Sequence, residues 1–262
     1  MEELLKKAMA GDKTALESII TQHQDMIYNL ALRMLWHPED AKDATQEILI
    51  RLITNLGKFS FRSSFKTWLY RLATNHLINY KQKHFRYPLT FELHENFLQS
   101  GLAEDISYSQ EEGVRKLLVQ EAKIGCSNAM LQCLDASQRA VYILGEILEL
   151  NSQEGAEILE ISPENFRQKL SRSRKKMDRH TRRNCGLVNP ENACRCHRRV
   201  DQGIDIGFIQ PDELLFVPNQ ASESLVATVE EIASHIQLLA SNPEYEAPEK
   251  VVAATQELLQ KI

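Results

Sequence analysis

Residues 151–183, NSQEGAEILEISPENFRQKLSRSRKKMDRHTRR, contain two helical patterns joined by a tight turn. We predict that Ser152 caps the first helix and that Ile161 is the apolar residue of the turn. Ser162 and Pro163 signal the start of the second helix, because serine accepts free N–H groups and proline suits the first helical position. A short helix, a turn and a longer helix form the pattern of a helix-turn-helix motif.

The second helix of this motif has an apolar side and a polar side. Phe166, Leu170, Ser173 and Met177 recur at spacings of four, three and four residues, as the buried stripe of a helix does. Lysines and arginines follow directly along the chain, where they can neutralise phosphates. A helix that enters the major groove of DNA has this layout, although a solvated surface helix can also be basic. We therefore expect this segment to contact DNA.

The length and charge of the chain are compatible with that expectation. The chain has 262 residues, which is enough for two or three small domains. Hydrophobic residues make up 43% and charged residues 26%, as in globular rather than disordered proteins. The net charge of −5 is unevenly distributed, since residues 1–183 carry +2 and residues 184–262 carry −7. An acidic net charge therefore does not exclude DNA binding by the basic segment.

No apolar run is long enough to span a membrane, and the N-terminus lacks the apolar core of a signal peptide. We therefore expect a cytoplasmic protein, whose five cysteines do not form a framework of disulfides. Proline and glycine are sparse, and long stretches have a helical period. The predicted fold is all-α, with two small helical domains joined by an acidic linker, and a C-terminal extension with short helices.

Two amphipathic helices are predicted near the N-terminus. Asp12 caps the first, and Pro38 begins the second, which includes DAKDATQEILIRLITNL (40–56). The predicted buried residues of the second helix are Ala41, Ala44, Ile48, Leu52 and Leu56. Another side of this helix is polar and carries Asp43, Gln46, Glu47 and Arg51. Such an acidic, polar side suits a protein partner.

The stretch KFSFRSSFKTWLYRLATNHLINYKQKHFR (58–86) interleaves aromatic and basic residues. Aromatic rings stack on unpaired bases and cations bind the phosphate backbone, so this pattern suits single-stranded DNA. The alternative is a hydrophobic core of aromatic residues with incidental lysines and arginines on the surface. The residues alone leave both interpretations open.

Together these segments resemble the extracytoplasmic-function (ECF) sigma factors, the promoter-specificity subunits of bacterial RNA polymerase. DAKDATQEILIRL (40–52) is similar to the helix of that family that binds the polymerase clamp. SSFKTWLYRLATNHLINY (63–80) is similar to the segment that melts the promoter and reads the −10 element. Residues 135–177 are similar to region four, which reads the −35 element. The resemblance covers roughly residues 5–180, and three motifs in the family's order make it specific.

The resemblance implies that the chain binds core RNA polymerase and promoter DNA, and that DNA binding requires no cofactor. The residues expected to bind the clamp helices of the largest polymerase subunit are Asp43, Gln46, Glu47 and Arg51. The residues expected near the melted −10 strand are Ser63, Ser64, Lys66, Trp68, Arg71, Asn75 and His76. Whether a separate anti-sigma protein binds the chain stays open.

Two kinds of DNA contact are expected from the polar side of the second motif helix. The candidates for contacts to base edges at −35 are Glu164, Asn165, Gln168 and Ser171. The candidates for phosphate contacts are Arg167, Arg172, Arg174 and Lys175. Phosphate contacts position a protein on DNA, whereas base-edge contacts specify the sequence.

Four segments are predicted along the chain: a region-two-like domain (1–86), an acidic linker (87–127), a region-four-like helix-turn-helix domain (128–183) and an extension (184–262). The linker has seven acidic residues against three basic ones. In ECF factors this connector is thought to thread the RNA path of polymerase. A plain solvated linker with some helix is the alternative.

The extension begins with NCGLVNPENACRCHRRV (184–200), in which Cys185, Cys194, Cys196 and His197 have the spacing C-x8-C-x-C-H. Three thiols and an imidazole can close a tetrahedral site for zinc or another thiophilic metal. We expect two neighbouring arginines to favour thiolates, which suits oxidation as well as metal binding. A metal site, a redox switch and a purely structural cluster are three open interpretations.

The last part of the extension has two amphipathic patterns. SESLVATVEEIASHIQLLA (222–240) carries one apolar stripe, which consists of Leu225, Val229, Ile232, Ile236 and Leu239. PEKVVAATQELLQKI (248–262) carries a second, which consists of Val251, Leu258 and Ile262. Helices of this kind must bury their apolar side. Our hypothesis is that they dock on the preceding domains and regulate them in response to the cysteines, and a self-contained helical pair is the alternative.

A transcription initiation factor without an active site of its own is the leading interpretation. The alternative is a free-standing helix-turn-helix DNA-binding regulator, which would need neither a clamp-binding helix nor an aromatic-basic segment. An enzyme finds little support, since the sequence has no glycine-rich phosphate loop, nucleophile elbow or paired carboxylates that suggest a pocket.

Overall fold

A computed structural model of the chain describes residues 1–80, 89–217 and 234–261. The regular elements in these residues are helices, apart from an isolated parallel bridge between Cys185 and Cys194. The predicted all-α class is confirmed.

The N-terminal helices bury the apolar side that the sequence predicts. They are α1 (Glu2–Met9), α2 (Lys13–Leu35), α3 (Pro38–Asn55) and α4 (Phe65–Ile78), with a 3-10 turn at Leu56–Lys58. Asp12 caps α2 as predicted, because its Oδ1 accepts from the N–H of Ala15 at 3.0 Å. All five residues predicted to be buried on the second helix are buried. They face a core that α3 forms with α2 and α4.

The acidic stretch 87–127 contains two helices, α5 (Phe91–Gln99) and most of α6 (Glu112–Gln132). Apolar residues recur between its acidic ones, and Leu98, Ile106 and Leu118 are buried. The predicted connector is therefore folded along much of its length, because these side chains find apolar partners elsewhere in the chain.

The motif that dominates the sequence consists of two helices, α8 and α9. In chain order the elements here are α7 (Ala136–Tyr142), a π-helical turn (Ile143–Ile147), α8 (Ser152–Leu159) and α9 (Pro163–Asn184). Ser162 caps α9 as predicted, since its Oγ accepts from the N–H of Asn165 at 3.1 Å. The prediction for α8 is wrong by one residue. Asn151 caps it, in a reciprocal capping box with Glu154.

The C-terminal extension contains a 3-10 turn (His197–Arg199), α10 (Val200–Asp205), α11 (His235–Ala240) and α12 (Glu249–Lys261). Of the first predicted apolar stripe, Leu225, Val229 and Ile232 lie outside the described residues. Leu239 is buried as predicted, but Ile236 is exposed, because α11 begins only at His235 and turns this side chain outward. Val251 of the second stripe is buried, and the side chains of Leu258 and Ile262 lie outside the described residues.

The chain forms two compact units. The first consists of Met1–Arg86, Ile143–Gln168 and Glu244–Ile262. The second consists of Tyr87–Tyr142 and Lys169–Pro243. The first unit therefore combines segments that are far apart in the sequence, including α8 and α12. These two structural units do not test the functional segments, so the boundaries predicted at residues 87, 128 and 184 stay predictions.

Candidate nucleic-acid interface

The helix-turn-helix depends on a close approach of α8 to Phe166. A Cβ atom added to Gly155 would lie 2.3 Å from the Phe166 ring, so only glycine permits this packing. Phe166 itself is completely buried. Ala156 beside Gly155 is also buried, but the residue against the ring is Gly155. The missing Cβ atom of Gly155 is the signal in the sequence that could have identified this contact.

The buried stripe of α9 is confirmed, since Phe166, Leu170, Ser173 and Met177 are all buried. On the other side of α9, all predicted −35 contacts are exposed: Glu164, Asn165, Arg167, Gln168, Ser171, Arg172, Arg174 and Lys175. Nine lysines and arginines lie along this helix against two acidic residues. The fold therefore brings all eight residues to the solvent side of one basic helix.

Two contacts order the exposed side of α9. The Nε2 of Gln168 donates to Oε1 of Glu164 at 3.3 Å, one helical turn away. The Nη1 of Arg167 donates to Oγ of Ser152 on α8 at 3.4 Å. The first contact holds two candidates for base recognition side by side. The second ties a candidate for phosphate contact to the start of the preceding helix.

A cavity of about 790 Å³ lies in the first unit, beside α3 and α4. Four predicted −10 residues and two predicted polymerase residues line it: Trp68, Arg71, Asn75, His76, Glu47 and Arg51. The structure thus brings together most of the α4 candidates, and it places them next to the polymerase candidates of α3. Ser63, Ser64 and Lys66 do not line this cavity and precede or begin α4.

His76 is the titratable group at the centre of this cavity wall. Its Nε2 lies 3.4 Å from Oε2 of Glu47. Burial lowers the pKa of His76, the charge of Arg51 lowers it further, and Glu47 opposes both effects. The imidazole is therefore neutral at neutral pH, where it can donate or accept a hydrogen bond.

The aromatic residues of the stretch 58–80 are largely core residues. Phe59, Phe65 and Tyr70 are buried, whereas Phe61 is 41% exposed. Trp68 is half-buried and packs on Phe59 and Phe65 at centroid distances of 5.5 and 5.6 Å. The core interpretation therefore holds for most of these rings, and Trp68 and Tyr80 are the aromatic residues of this stretch that also line the cavity.

Ser64 and Arg71 have structural partners in addition to their predicted roles. The Oγ of Ser64 caps α4 by accepting from the N–H of Thr67 at 3.0 Å. The Nε of Arg71 donates to the main-chain oxygen of Glu157 on α8 at 3.1 Å, and its Nη2 lies 3.4 Å from the Glu157 carboxylate. In this structure α8 packs on α4 and occupies part of the predicted −10 face.

The predicted polymerase residues lie on α3 at the surface of the first unit. Glu47 and Arg51 are exposed, and Asp43 and Gln46 are half-buried. The Nε2 of Gln46 donates to the main-chain oxygen of Lys250 on α12 at 3.5 Å. Part of this side of α3 is therefore in contact with the C-terminal extension.

The predicted zinc ligands are not arranged as a metal site. Within residues 1–80, 89–217 and 234–261, no three histidine, cysteine or acidic side chains are placed so that they could hold a metal ion. Of the predicted set, His197 lines a separate cavity of about 410 Å³ with Asp105 and Arg115. Cys185 and Cys194 instead meet at the isolated bridge.

Sequence reasoning missed a fourth thiol in this cluster. Cys126 on α6 is half-buried, with Cys185, Cys194 and Cys196 near enough to raise its pKa, and the loss of solvent around the thiol is the larger cause of the rise. Its Sγ lies 3.7 Å from Nε2 of His94. No spacing pattern links Cys126 to cysteines 59 or more positions away, so only the tertiary fold identifies it.

The expectation of reactive thiolates is wrong. Burial, followed by the neighbouring thiols, raises the pKa of Cys194 to about 11 and that of Cys196 to about 12. Arg195 and Arg198 lower the pKa of Cys194, but by less than burial and Cys185 raise it. The thiols behave as small apolar side chains that pack between α6 and the extension.

Glu121 on α6 is a second residue that sequence reasoning missed. Its carboxylate accepts from the N–H groups of Leu215, Phe216 and Val217 at 2.8 to 3.2 Å. It is 1% exposed, although it is one of the seven acidic residues of the predicted linker. Its position three residues after Leu118, on the buried side of α6, is the signal that could have found it.

No described helix is long and apolar enough to cross a membrane.

Two family models match the chain. Sigma-70 region 2 matches residues 19–87, and Sigma-70 region 4 matches residues 128–177. The first match contains α3 and α4, and the second contains α8 and most of α9. Neither match includes the residues after 177.

Two curated proteins from Bacillus subtilis (strain 168) are similar to the chain. ECF RNA polymerase sigma factor SigW is 32% identical over 190 residues, which are 70% of this chain and 97% of SigW. RNA polymerase sigma factor YlaC is 31% identical over 162 residues, which are 62% of this chain and 89% of YlaC. A solved chain described as CnrH in complex with the cytosolic domain of CnrY is 20% identical, with 66% of this chain and 91% of that chain covered and a TM-score of 0.44.

Proposed function

Because this chain belongs to the ECF sigma factors and is a promoter-recognising sigma factor, we propose that α9 reads its −35 element and that α4 contacts its −10 element. The partners of a sigma factor are core RNA polymerase and promoter DNA, and its DNA binding needs no cofactor. We assign residues 1–86 to polymerase and −10 binding, 87–127 to the connector and 128–183 to −35 binding. Residues 184–262 are assigned to regulation.

The observation that carries the −35 proposal is the two-sided structure of α9. Eight polar or basic side chains are exposed on one side, while the opposite stripe is buried. The contact of Phe166 with Gly155 fixes α9 relative to α8, as a recognition helix requires. Glu164, Asn165, Gln168 and Ser171 would contact base edges. Arg167, Arg172, Arg174 and Lys175 would contact phosphates.

The cavity beside α4 supports the −10 proposal. Trp68 lines this cavity with a half-buried ring, and aromatic rings stack on unpaired bases. Asn75 and the neutral His76 can donate to and accept from base edges, and Arg71 supplies a positive charge for the backbone. Ser63, Ser64 and Lys66 would contact the strand before it reaches the cavity.

The polar side of α3 supports the polymerase proposal. Asp43, Gln46, Glu47 and Arg51 lie on one helix that is rigidly packed on α2 and α4. A rigid helix with a polar side suits a protein partner, because little conformational entropy is lost when it binds. A free-standing DNA-binding regulator is not favoured, since it leaves the region 2 match over residues 19–87 without a role.

The placement of the cysteines supports a structural role. Their burial and raised pKa values favour neutral thiols, which is opposite to what a redox sensor requires. A zinc ion bound by Cys185, Cys194, Cys196 and His197 gains no support from where these side chains lie.

Run-off transcription tests the proposed function. Bacterial core polymerase would be given a library of promoters with and without the full chain. We expect transcripts that require the chain and that share two sequence elements at one spacing. Specific binding to double-stranded DNA without any binding to polymerase would contradict the proposal and favour the free-standing regulator.

A further inference from the structure

Residues 244–257, here called the tail segment, belong to the same compact unit as residues 1–86. Within that unit α12 packs on both α2 and α3. The tail segment lies beyond both family matches, which end at residues 87 and 177. A part of this chain that the family pattern does not include is therefore placed on the helix with the predicted polymerase contacts.

The first half of the tail segment has no regular secondary structure and is bound through its main chain. The Oδ1 of Asn29 accepts from the N–H of Tyr245 at 2.9 Å, and its Nδ2 donates to the oxygen of Tyr245 at 2.7 Å. Asp25 accepts from the N–H of Ala247 at 2.8 Å. Asn29 is 5% exposed, so this two-way contact is well shielded from water.

A charge pair extends this contact along α2. Arg33 binds the carboxylate of Glu244. Asp25, Asn29 and Arg33 are spaced four residues apart and so lie on one side of α2. Their acceptor, amide and cation bind Ala247, Tyr245 and Glu244 in turn, so the tail segment runs in the opposite direction to α2 along this contact. This match of three successive groups is specific rather than a general apolar contact.

The second half of the tail segment is helical and is held by buried side chains. Val251 and Thr255 of α12 are buried, while Ala253 and Ala254 are exposed. The main-chain oxygen of Lys250 accepts from Gln46 on α3. Gln46 is one of the four residues that we propose for polymerase binding, so α12 and the polymerase clamp would use the same side of α3.

We propose that the tail segment is an in-chain cover of the polymerase-binding side of α3, and that core polymerase must displace it to bind. This inference rests on the proposed polymerase role of α3. The cover is small, since the buried residues of the tail segment are Ala247, Val251 and Thr255. It can therefore detach without unfolding α2 or α3.

A reversible cover has a measurable effect on affinity. When only a fraction of molecules has a free binding surface, the apparent dissociation constant rises by the inverse of that fraction. A cover that is closed in nine molecules of ten thus weakens polymerase binding about tenfold. Variants that open the cover should recover that factor without any change in α3.

Hydrogen exchange of the full chain, free and bound to core polymerase, tests the proposal directly. We expect the amides of residues 43–51 to become more protected in the complex and those of residues 250–257 to exchange faster. Residues 250–257 that stay as protected in the complex as in the free chain would overturn the cover. A complex in which residues 43–51 show no change would instead refute the proposed polymerase side of α3.

Two matched variants of α12 provide a second measurement. Val251→Asp places a charge in the buried contact, whereas Ala254→Asp places the same charge on the exposed side of the same helix. Neither change replaces a residue of α2 or α3. We expect Val251→Asp to bind core polymerase at least about tenfold more tightly than the unaltered chain, and Ala254→Asp to bind equally. Equal affinities for all three chains, with fast exchange of residues 250–257 in Val251→Asp, would overturn the proposal.

Discussion

Arg71 on α4 and Glu157 on α8 form a two-point contact, in which the guanidinium binds both the main-chain oxygen and the carboxylate of Glu157. Arg71 is a proposed contact of the −10 strand, and α8 supports the proposed −35 helix. The two DNA-binding parts therefore share a contact within the first unit. On these proposed roles, promoter DNA would have to replace Glu157 as the partner of Arg71, so we expect promoter binding to be coupled to the release of α8.

Glu157→Lys should release Arg71. The new cation repels the guanidinium, and half-exposed ion pairs of this type contribute about 0.2–1 kcal/mol. We expect binding of a single-stranded −10 oligonucleotide to the full chain to strengthen about two- to fivefold, measured by fluorescence anisotropy. Gln153→Lys adds the same charge at an exposed position of α8 and is the control. Equal gains in both variants would show a general charge effect instead.

Gly155→Ala should destabilise the chain, although alanine normally favours a helix. The added Cβ would meet the Phe166 ring at 2.3 Å, and overpacking of this kind costs about 1–3 kcal/mol. Urea unfolding measures the loss. Gly57→Ala is the control, because no atom lies within 4 Å of its added Cβ. The double change Gly155→Ala with Phe166→Leu should recover part of the loss, and a neutral Gly155→Ala would refute the close packing.

Gln168→Ala and Lys175→Ala should have different effects on promoter choice. The loss of Gln168 should relax specificity at one −35 base pair by about 1–3 kcal/mol. The loss of Lys175 should weaken all promoters alike and reduce the salt dependence of binding. Binding to a library of −35 variants at several salt concentrations separates the two effects. Arg182→Ala is the control, since Arg182 is engaged with Asp178 near the end of α9. Uniform effects from all three changes would remove the division between base and phosphate contacts.

The stability of the chain should fall in acid because of His94. Burial, followed by the charges of His180 and Arg199, lowers the pKa of His94 to about 3. The unfolded chain binds this proton below about pH 6.5, whereas the folded chain does so only near pH 3. The contribution of His94 is therefore fully present above pH 6.5 and is lost as the pH falls, by up to about 1.4 kcal/mol per pH unit. Urea midpoints at pH 7.5, 6 and 5 should fall less steeply in His94→Gln, and parallel curves would contradict this.

Cys194 and Cys196 should react slowly with iodoacetamide in the folded chain. Their pKa values of about 11 and about 12 leave little thiolate at pH 8. We expect rates at least about 100-fold below that of free cysteine, measured by mass spectrometry of each peptide. The same peptides should react at ordinary rates in urea. Fast labelling of the folded chain would restore the redox interpretation of the cluster.

The sequence predicts local features of this fold well. The apolar side of α3, the stripe of α9 and the caps Asp12 and Ser162 all follow from spacing and from the chemistry of single residues. These features depend on neighbours within a few positions. The helical period is the same in a free helix and in the folded chain, so the buried side of a helix can be identified from the spacing of its apolar residues.

Features that depend on distant residues could not be predicted in this way. Glu121 is buried because it binds the main chain of residues 215–217, and Cys126 joins thiols from the extension. The docking of the extension was a hypothesis, but Asn29 as its main-chain partner was not foreseeable, since an asparagine within a helix has no pattern of its own. In each case the local sequence shows the residue but not the distant part of the chain that it contacts.

The separation of the two sides of α9 affects how a regulator of this kind can diverge after gene duplication. The packing of Phe166 against Gly155 holds the helix in place, and none of the eight exposed residues takes part in that packing, although Arg167 adds a hydrogen bond to Ser152 of α8. A copy of the gene can therefore acquire a new set of target operons through changes at the exposed positions alone, while the residues that hold the fold stay the same. The same property would let an engineer build insulated genetic circuits from one scaffold.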